Sequence, residues 1–307
     1  MVSTGPLGET LRREWEERAM PDEEQEPTPD AQRYLDWSPP GHFYSPVPDH
    51  REIARQASRI YAQTNELLGV DLREEDQIEL FRTLSGLART LDLPETPDPR
   101  FRYHAGNLNY GIGDALMLGA FLRHLRPRRY VEVGSGWTTA LALDVNEKFL
   151  DHSMHLMAIE PHSELLRSLM REGDAVELIE RQVQDVSLAR FAELEANDVL
   201  FIDCSHVVKI GSDAHFLITR VLPCLAKGVV VHIHDVFWPF EYPRVWVDEG
   251  RAWNEAYLLH AFLAFNETFE IAFFNNWFAQ VHREVISTEL EAMLENPGGA
   301  LWLRRAK

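Results

Sequence analysis

The rhythm of apolar positions changes once along the chain. In residues 51–68, Ile53, Ala57, Ile60, Tyr61, Leu67 and Leu68 recur at helical spacing, and Ile78, Leu80, Phe81, Leu84, Leu87 and Leu91 do so again. Residues three and four apart share a helix face, so both stretches are predicted to be amphipathic helices. A third helix begins at Ile112 or Asp114, runs through Leu116, Leu118, Phe121, Leu122 and Leu125, and stops before Pro127, because a proline disfavours helix in the residue preceding it. Beyond Pro127 the pattern becomes short continuous apolar runs separated by helical stretches. Strands of a parallel sheet read this way, since crossover helices bury both of its faces. Candidate strands are 129–133, 155–159, 175–179, 199–203, 229–233, 270–274 and 301–303. The expected fold is α/β: a doubly wound, seven-stranded, mostly parallel sheet with an N-terminal helical lid.

Composition divides the chain further. Residues 1–48 are rich in Glu, Asp, Pro and Gly and are predicted to be a partly disordered acidic tail, with Tyr34, Trp37, Phe43 and Tyr44 able to pin its inner part to a core or a neighbouring subunit. A lid of substrate-side helices over 49–124 and a core over 125–307 complete the division. With 307 residues and 45% hydrophobic content, a sizeable core is expected. A formal charge of −19 argues against affinity gained by neutralising phosphates, so nucleic acid is not an expected partner. Cys204 and Cys224 are too few for a disulfide framework or a thiolate zinc site, which fits a cytoplasmic protein. No signal-peptide pattern and no bilayer-length apolar run are read, so a membrane is not expected either.

The candidate chemistry starts where the first strand ends, at Glu132-Val133-Gly134-Ser135-Gly136-Trp137-Thr138-Thr139. Glycines there let the backbone turn sharply and a ligand approach the main chain. A dinucleotide fingerprint would place Gly or Ala where Thr139 stands, which disfavours nicotinamide binding; a tight turn without a ligand is the plainer alternative. Glu160, ending the second strand, suits the two hydroxyls of a ribose, or is a helix-start acid favoured by the dipole. Asp185, after the third strand, reads either as a partner for an adenine amino group or as part of a solvated turn.

The order Glu-Val-Gly-Ser-Gly, Ile-Glu-Pro, Gln-Asp-Val, Phe-Ile-Asp resembles the class I S-adenosylmethionine (SAM)-dependent methyltransferases. More narrowly, Asp203-Cys204-Ser205-His206, His232-Ile233-His234-Asp235-Val236-Phe237 and Glu241-Tyr242-Pro243 look like an uncharacterised bacterial branch, over about residues 103–276. The resemblance implies that Gly134 and Gly136 face the methionine part of SAM, with Glu132 and Ser135 as lesser candidates. It implies that Glu160 holds the ribose, that Asp185 holds the adenine, and that Asn107 and Asp114 close over the cofactor, although a helix cap explains Asp114 equally well. The last-inserted strand is expected to run antiparallel.

Ligands of an open parallel sheet bind beyond the carboxyl ends of its strands, which places Asp203, His206, His234 and Asp235 together as the catalytic candidates. Two chemistries fit them. A divalent cation (Mg, Mn or Fe) held by Asp203, Asp235 and His234 would acidify an acceptor hydroxyl, much as in catechol-type enzymes. This chain departs from them in having His-Asp after the fifth strand, and imidazole favours Mn, Fe or Zn over Mg. Without metal, His206 or His234 acts as general base, oriented by Asp203 or Asp235. His232 shares a strand face with His234, and a pair of structural histidines is the plainer reading. Trp238 to Pro243 and Trp246 suit a substrate-pocket wall, whereas Trp253, Tyr257, Phe262 and Phe265 are expected in the core.

The reading is methyl transfer from SAM to an oxygen, less favourably a nitrogen, of a small-molecule acceptor by a possible homodimer. A catalytically silent SAM-binding sensor or scaffold and an NAD-dependent oxidoreductase are the rivals.

Overall fold

The computed structural model describes residues 29–64 and 66–307, so the first 28 residues of the expected tail lie outside the described residues. The chain divides into two compact units, Met1–Ala57 and Ser58–Lys307. The described part of the first carries helix α1 (Pro29–Trp37) and the start of α2 (His50–Ile60). Its aromatics pack on one another: Trp37 stacks on Tyr44 at 5.5 Å, with Phe43 edge-on to Tyr44, and all three rings are largely exposed.

In the second unit come α3 (Glu74–Ala88) and α4 (Ile112–Leu125), and then strands β1 (Arg129–Val133), β2 (His155–Ile159), β3 (Val176–Ile179), β4 (Val199–Ile202), β5 (Val230–Ile233), β6 (Phe269–Phe274) and β7 (Leu301–Arg305). Helix α5 (Trp137–Phe149) joins β1 to β2. The sheet order is β3-β2-β1-β4-β5-β7-β6; β1 to β5 pair in parallel, and β7 enters between β5 and β6 antiparallel to both. This is the expected seven-stranded, mostly parallel sheet. Its strand order reverses between β1 and β4, and that reversal opens a crevice at their carboxyl ends.

The predicted helix over 51–68 stops at Ile60, and Leu67 and Leu68 fall in the turn before Gly69. Helix α3 begins earlier than its apolar pattern, because Glu74, Glu75 and Asp76 occupy its first turn, where the helix dipole favours acids. Buried Gln77 holds that end to the sheet: its Oε1 accepts from Phe274 N at 2.8 Å, and its Nε2 donates to Leu72 O. Helix α4 packs against both α3 and α5, and its Phe121 stacks on Trp302 of β7 at 3.8 Å.

The loop into α4 is tied to α5 by one guanidinium. Arg102, almost fully buried, meets Asp144 at 2.8 Å, Asp174 at 2.5 Å and Glu147 at 2.7 Å. Three carboxylates around one cation satisfy charges that burial would otherwise make costly. Among the described residues, no helix is long and apolar enough to cross a membrane.

Candidate active site

At the end of β1 the chain turns through Gly134 with φ of +82°, and a Cβ there would lie 1.8 Å from Asp203 O. Only glycine fits that approach, so the first loop sits directly on the end of β4. Two bonds hold the junction: Gly134 N donates to Ile159 O at 3.1 Å, and Asp203 N to Val133 O at 2.9 Å. Glu132 faces inward, fully buried, with its carboxyl group engaged by the hydroxyls of Thr138 and Thr139. It thus props the loop from beneath, and Thr139, out of place in a dinucleotide fingerprint, has this structural task.

Glu160 is oriented by two backbone amides: Oε2 accepts from Ser135 N at 3.0 Å and Oε1 from His162 N at 2.8 Å. Each oxygen keeps acceptor capacity for a further partner. Beside it, the buried Ser135 Oγ has no hydrogen-bond partner. An oriented, half-exposed carboxylate, an orphaned hydroxyl and a glycine turn are a donor and acceptor set that fits an adenosyl ligand. Asp185 ends a 3-10 turn, Val183–Asp185, with its side chain exposed. Asn107 is turned into its own loop, donating to His104 O and Tyr110 O and accepting from the amides of Asn109 and Tyr110.

Asp114 is not a helix cap. Gly111 holds the cap position of α4, and Asp114 instead accepts from Asn275 Nδ2 at 2.9 Å and Gly299 N at 3.1 Å, with His234 Nε2 3.5 Å away. It joins α4 to the catalytic candidates and to the segment leading into β7.

Asp203, His206, His234 and Asp235 do converge. His206 Nε2 lies 3.2 Å from Asp203 and 3.7 Å from Asp235; His234 Nδ1 lies 3.5 Å from Asp203, and its Nε2 3.8 Å from Asp235. His206 and Asp235 both adopt left-handed backbone, φ 58° and 59°, a conformation rare outside glycine that the surrounding fold must enforce. Glu255, the first residue of helix α6 (Glu255–Leu263), carries no functional signal in the sequence. It is 1% exposed and accepts from His206 Nδ1 at 2.6 Å. The amides of Asn254 and Glu255 in turn donate to His206 O, and the Trp253 ring lies tilted against the imidazole at 4.2 Å.

Four carboxylates, Asp114, Asp203, Asp235 and Glu255, thus surround two imidazoles. Burial works against charge on both rings, yet Glu255 and Asp203 lift His206 to about 10, and Asp235 and Asp203 lift His234 well above the usual range. Burial also opposes charge on Asp203, but His234 and His206 outweigh it and hold that carboxyl far below normal; burial leaves Asp235 raised. One metal-capable set has ligand atoms within 4.8 Å of one another at this centre: Asp203, His206 and Asp235. His206 therefore replaces His234 as the third ligand candidate, because His234 points Nε2 towards Asp114. A second such set, Cys204, His206 and Glu255, includes a thiol that burial and Glu255 keep protonated.

His232 lies outside this centre. It is fully buried, stacked on Phe201 at 4.0 Å and edge-on to Trp302 at 4.5 Å, and burial pushes its pKa far down, so it is a neutral core ring. Of the aromatic loop, Trp238, Phe240 and Tyr242 are buried, whereas Phe237 and Trp246 line a cavity of about 410 Å³ together with His234 and Asp235. Two residues expected in the core are exposed: Tyr257 at 47% and Phe265 at 87%, the latter where φ turns positive after the helix.

Residues 131–236 match the family described as "Methyltransferase domain". The chain is 40% identical over 164 residues to an uncharacterized protein of Archaeoglobus fulgidus, covering 52% of this chain and 74% of that protein. Among solved structures it is similar to an S-adenosylhomocysteine (SAH)-bound methyltransferase of Podospora anserina, with 16% identity, 85% and 98% of the two chains covered and a TM-score of 0.44. It is also similar to an O-methyltransferase of Streptomyces achromogenes involved in tomaymycin synthesis, with 14% identity, 83% and 96% covered and a TM-score of 0.44.

Proposed function

We propose, from the premise that this chain belongs to the class I SAM-dependent methyltransferases, that it moves the methyl group of SAM to an oxygen of a small-molecule acceptor. The observation carrying this reading is the convergence of Asp203, His206, His234 and Asp235 one loop away from the Gly134 turn. Bound SAM supplies an electrophilic methyl on a sulfonium. Glu160 would hold the ribose hydroxyls and Ser135 Oγ would gain its missing partner, while Gly134 and Gly136 let the main chain come close. The acceptor hydroxyl gives its proton to Asp235, which burial makes a stronger base than an ordinary carboxylate. The acceptor oxygen gains the O–CH3 bond as the S–CH3 bond breaks, and a neutral thioether leaves. Protonated His206 and His234 are poorly suited to be the base; they hold the acids in place.

A second version is favoured by one observation, the convergence of Asp203, His206 and Asp235 with Glu255 behind the ring. A carboxylate on Nδ1 fixes an imidazole so that Nε2 presents its lone pair to a metal. These residues fit a divalent cation, which when bound would lower the acceptor hydroxyl pKa.

Calorimetry with SAH tests the assignment. Wild type is expected to bind with a Kd of micromolar order, Glu160→Ala to weaken binding at least roughly tenfold, and Asp235→Asn to retain it. Manganese titration in the same cell separates the two versions: saturable uptake lost in Asp203→Asn supports the cation, and no uptake supports Asp235 alone. Folded wild-type protein that binds NAD but not SAH overturns the methyltransferase reading.

A further inference from the structure

We propose that the acceptor is a cationic, hydroxylated amine: a polyol-like molecule with a protonated nitrogen, and not a carboxylate or a phosphate ester. The inference rests on the methyl-transfer reading and concerns the cavity beside its catalytic centre. That cavity, of about 410 Å³, is within the size of small-molecule sites, and its inner wall is His234 and Asp235. His234 is 5% exposed and lies at the inner end of the cavity, with Nδ1 3.5 Å from Asp203 and Nε2 3.5 Å from Asp114.

The lining is unusual in its charge. Glu95 and Glu295 stand at the exposed rim, Asp114 and Asp235 lie deeper, and no lysine or arginine is among the lining residues. Arg251, which stacks on the lining residue Trp246 at 4.4 Å, is paired with Glu249 at 3.1 Å. An anionic acceptor would enter against four carboxylates, and the one imidazolium on the wall, His234, is already held between Asp114, Asp203 and Asp235, an arrangement that selects by repulsion. A protonated amine meets complementary potential, reinforced by the net charge of −19 on the whole chain.

The remaining contacts suit hydroxyl groups. Asn109 and Asn296 offer carboxamides at the exposed edge, and a carboxamide both donates to and accepts from an alcohol. Phe237 and Trp246, edge to face at 5.0 Å, supply one apolar patch against which the carbon skeleton of a polyol can lie. The cavity thus differs from the apolar, aromatic-walled pocket that a planar aromatic acceptor would need.

A matched series isolates charge from shape: 1-amino-1-deoxysorbitol, sorbitol and gluconate, titrated into full-length protein by calorimetry, with and without saturating SAH. The amine is expected to bind roughly tenfold or more tightly than gluconate, with sorbitol between them and the difference shrinking as salt is raised. Glu295→Gln and Glu95→Gln should each weaken the amine while leaving sorbitol and SAH binding unchanged. Gluconate bound as tightly as the amine, no binding of the amine, or indifference of amine affinity to both substitutions overturns the proposal. Failure of SAH to bind, with the charge preference intact, would instead strike the methyl-transfer reading alone.

Discussion

Glu132 is an acid enclosed beneath the loop that it supports. Burial raises its pKa to about 8; the Thr138 and Thr139 hydroxyls oppose the shift, and Asp203 and Glu160 add to it. Unfolded, the same group ionises near its ordinary 4.5. The folded protein therefore binds more protons between those values, and this group's contribution to stability, complete below about 4.5, is lost as pH rises through about 8. Glu132→Gln keeps partners for both hydroxyls and removes the charge. Its stability relative to wild type should rise between pH 5 and pH 8 by an amount on the order of a few kcal/mol, measured by urea denaturation. Parallel pH profiles for the two proteins would refute this account of the residue. Glu255 teaches the complementary lesson about side chains. As an acid opening a helix it looks in sequence like an ordinary dipole partner, and nothing in spacing shows that the fold brings it 2.6 Å from His206, 49 positions earlier. The nearest hint is Trp253 and Asn254 beside it, a large ring and a polar residue at a helix start.

At the scale of elements, strands were legible to within two residues of their observed ends, because a sheet covered on both faces leaves continuous apolar runs bounded by turns. Helices were less so: α2 ends early and α3 starts early, since caps and acids set those limits and the apolar stripe does not. Asp114 shows the limit most clearly. Its place in the first turn of α4 was readable, but its partners Asn275 and Gly299 come from the far end of the chain. Arg102 has the same long-range character, joining the loop before α4 to α5. Arg102→Ala leaves Asp144 and Asp174 buried without their cation and should cost about 3–5 kcal/mol in chemical denaturation. A loss under about 1 kcal/mol would mean that water reaches those acids as readily as the guanidinium does.

For the whole molecule, every strand among the described residues and every residue of the candidate centre lies within Ser58–Lys307. A protein lacking residues 1–57 should keep its cooperative thermal transition and bind SAH within about threefold of the full chain, a change of under 1 kcal/mol. Loss of the transition would show that the first unit completes the fold. The methyltransferase-like motif order and the sheet topology were both legible early, whereas the cavity beside the candidate centre is assembled from separate stretches of chain between Glu95 and Gly299.

The inserted position of β7 also governs how the protein comes into being. Until residues 301–305 are in place, β5 has a free edge and β6 lacks its sheet partner, each presenting unpaired amides and carbonyls. A folding chain is thus open to wrong pairing until β7 has inserted, and β7 acts as the wedge that closes the sheet and sets Trp302 against His232 and Phe121 in the same event.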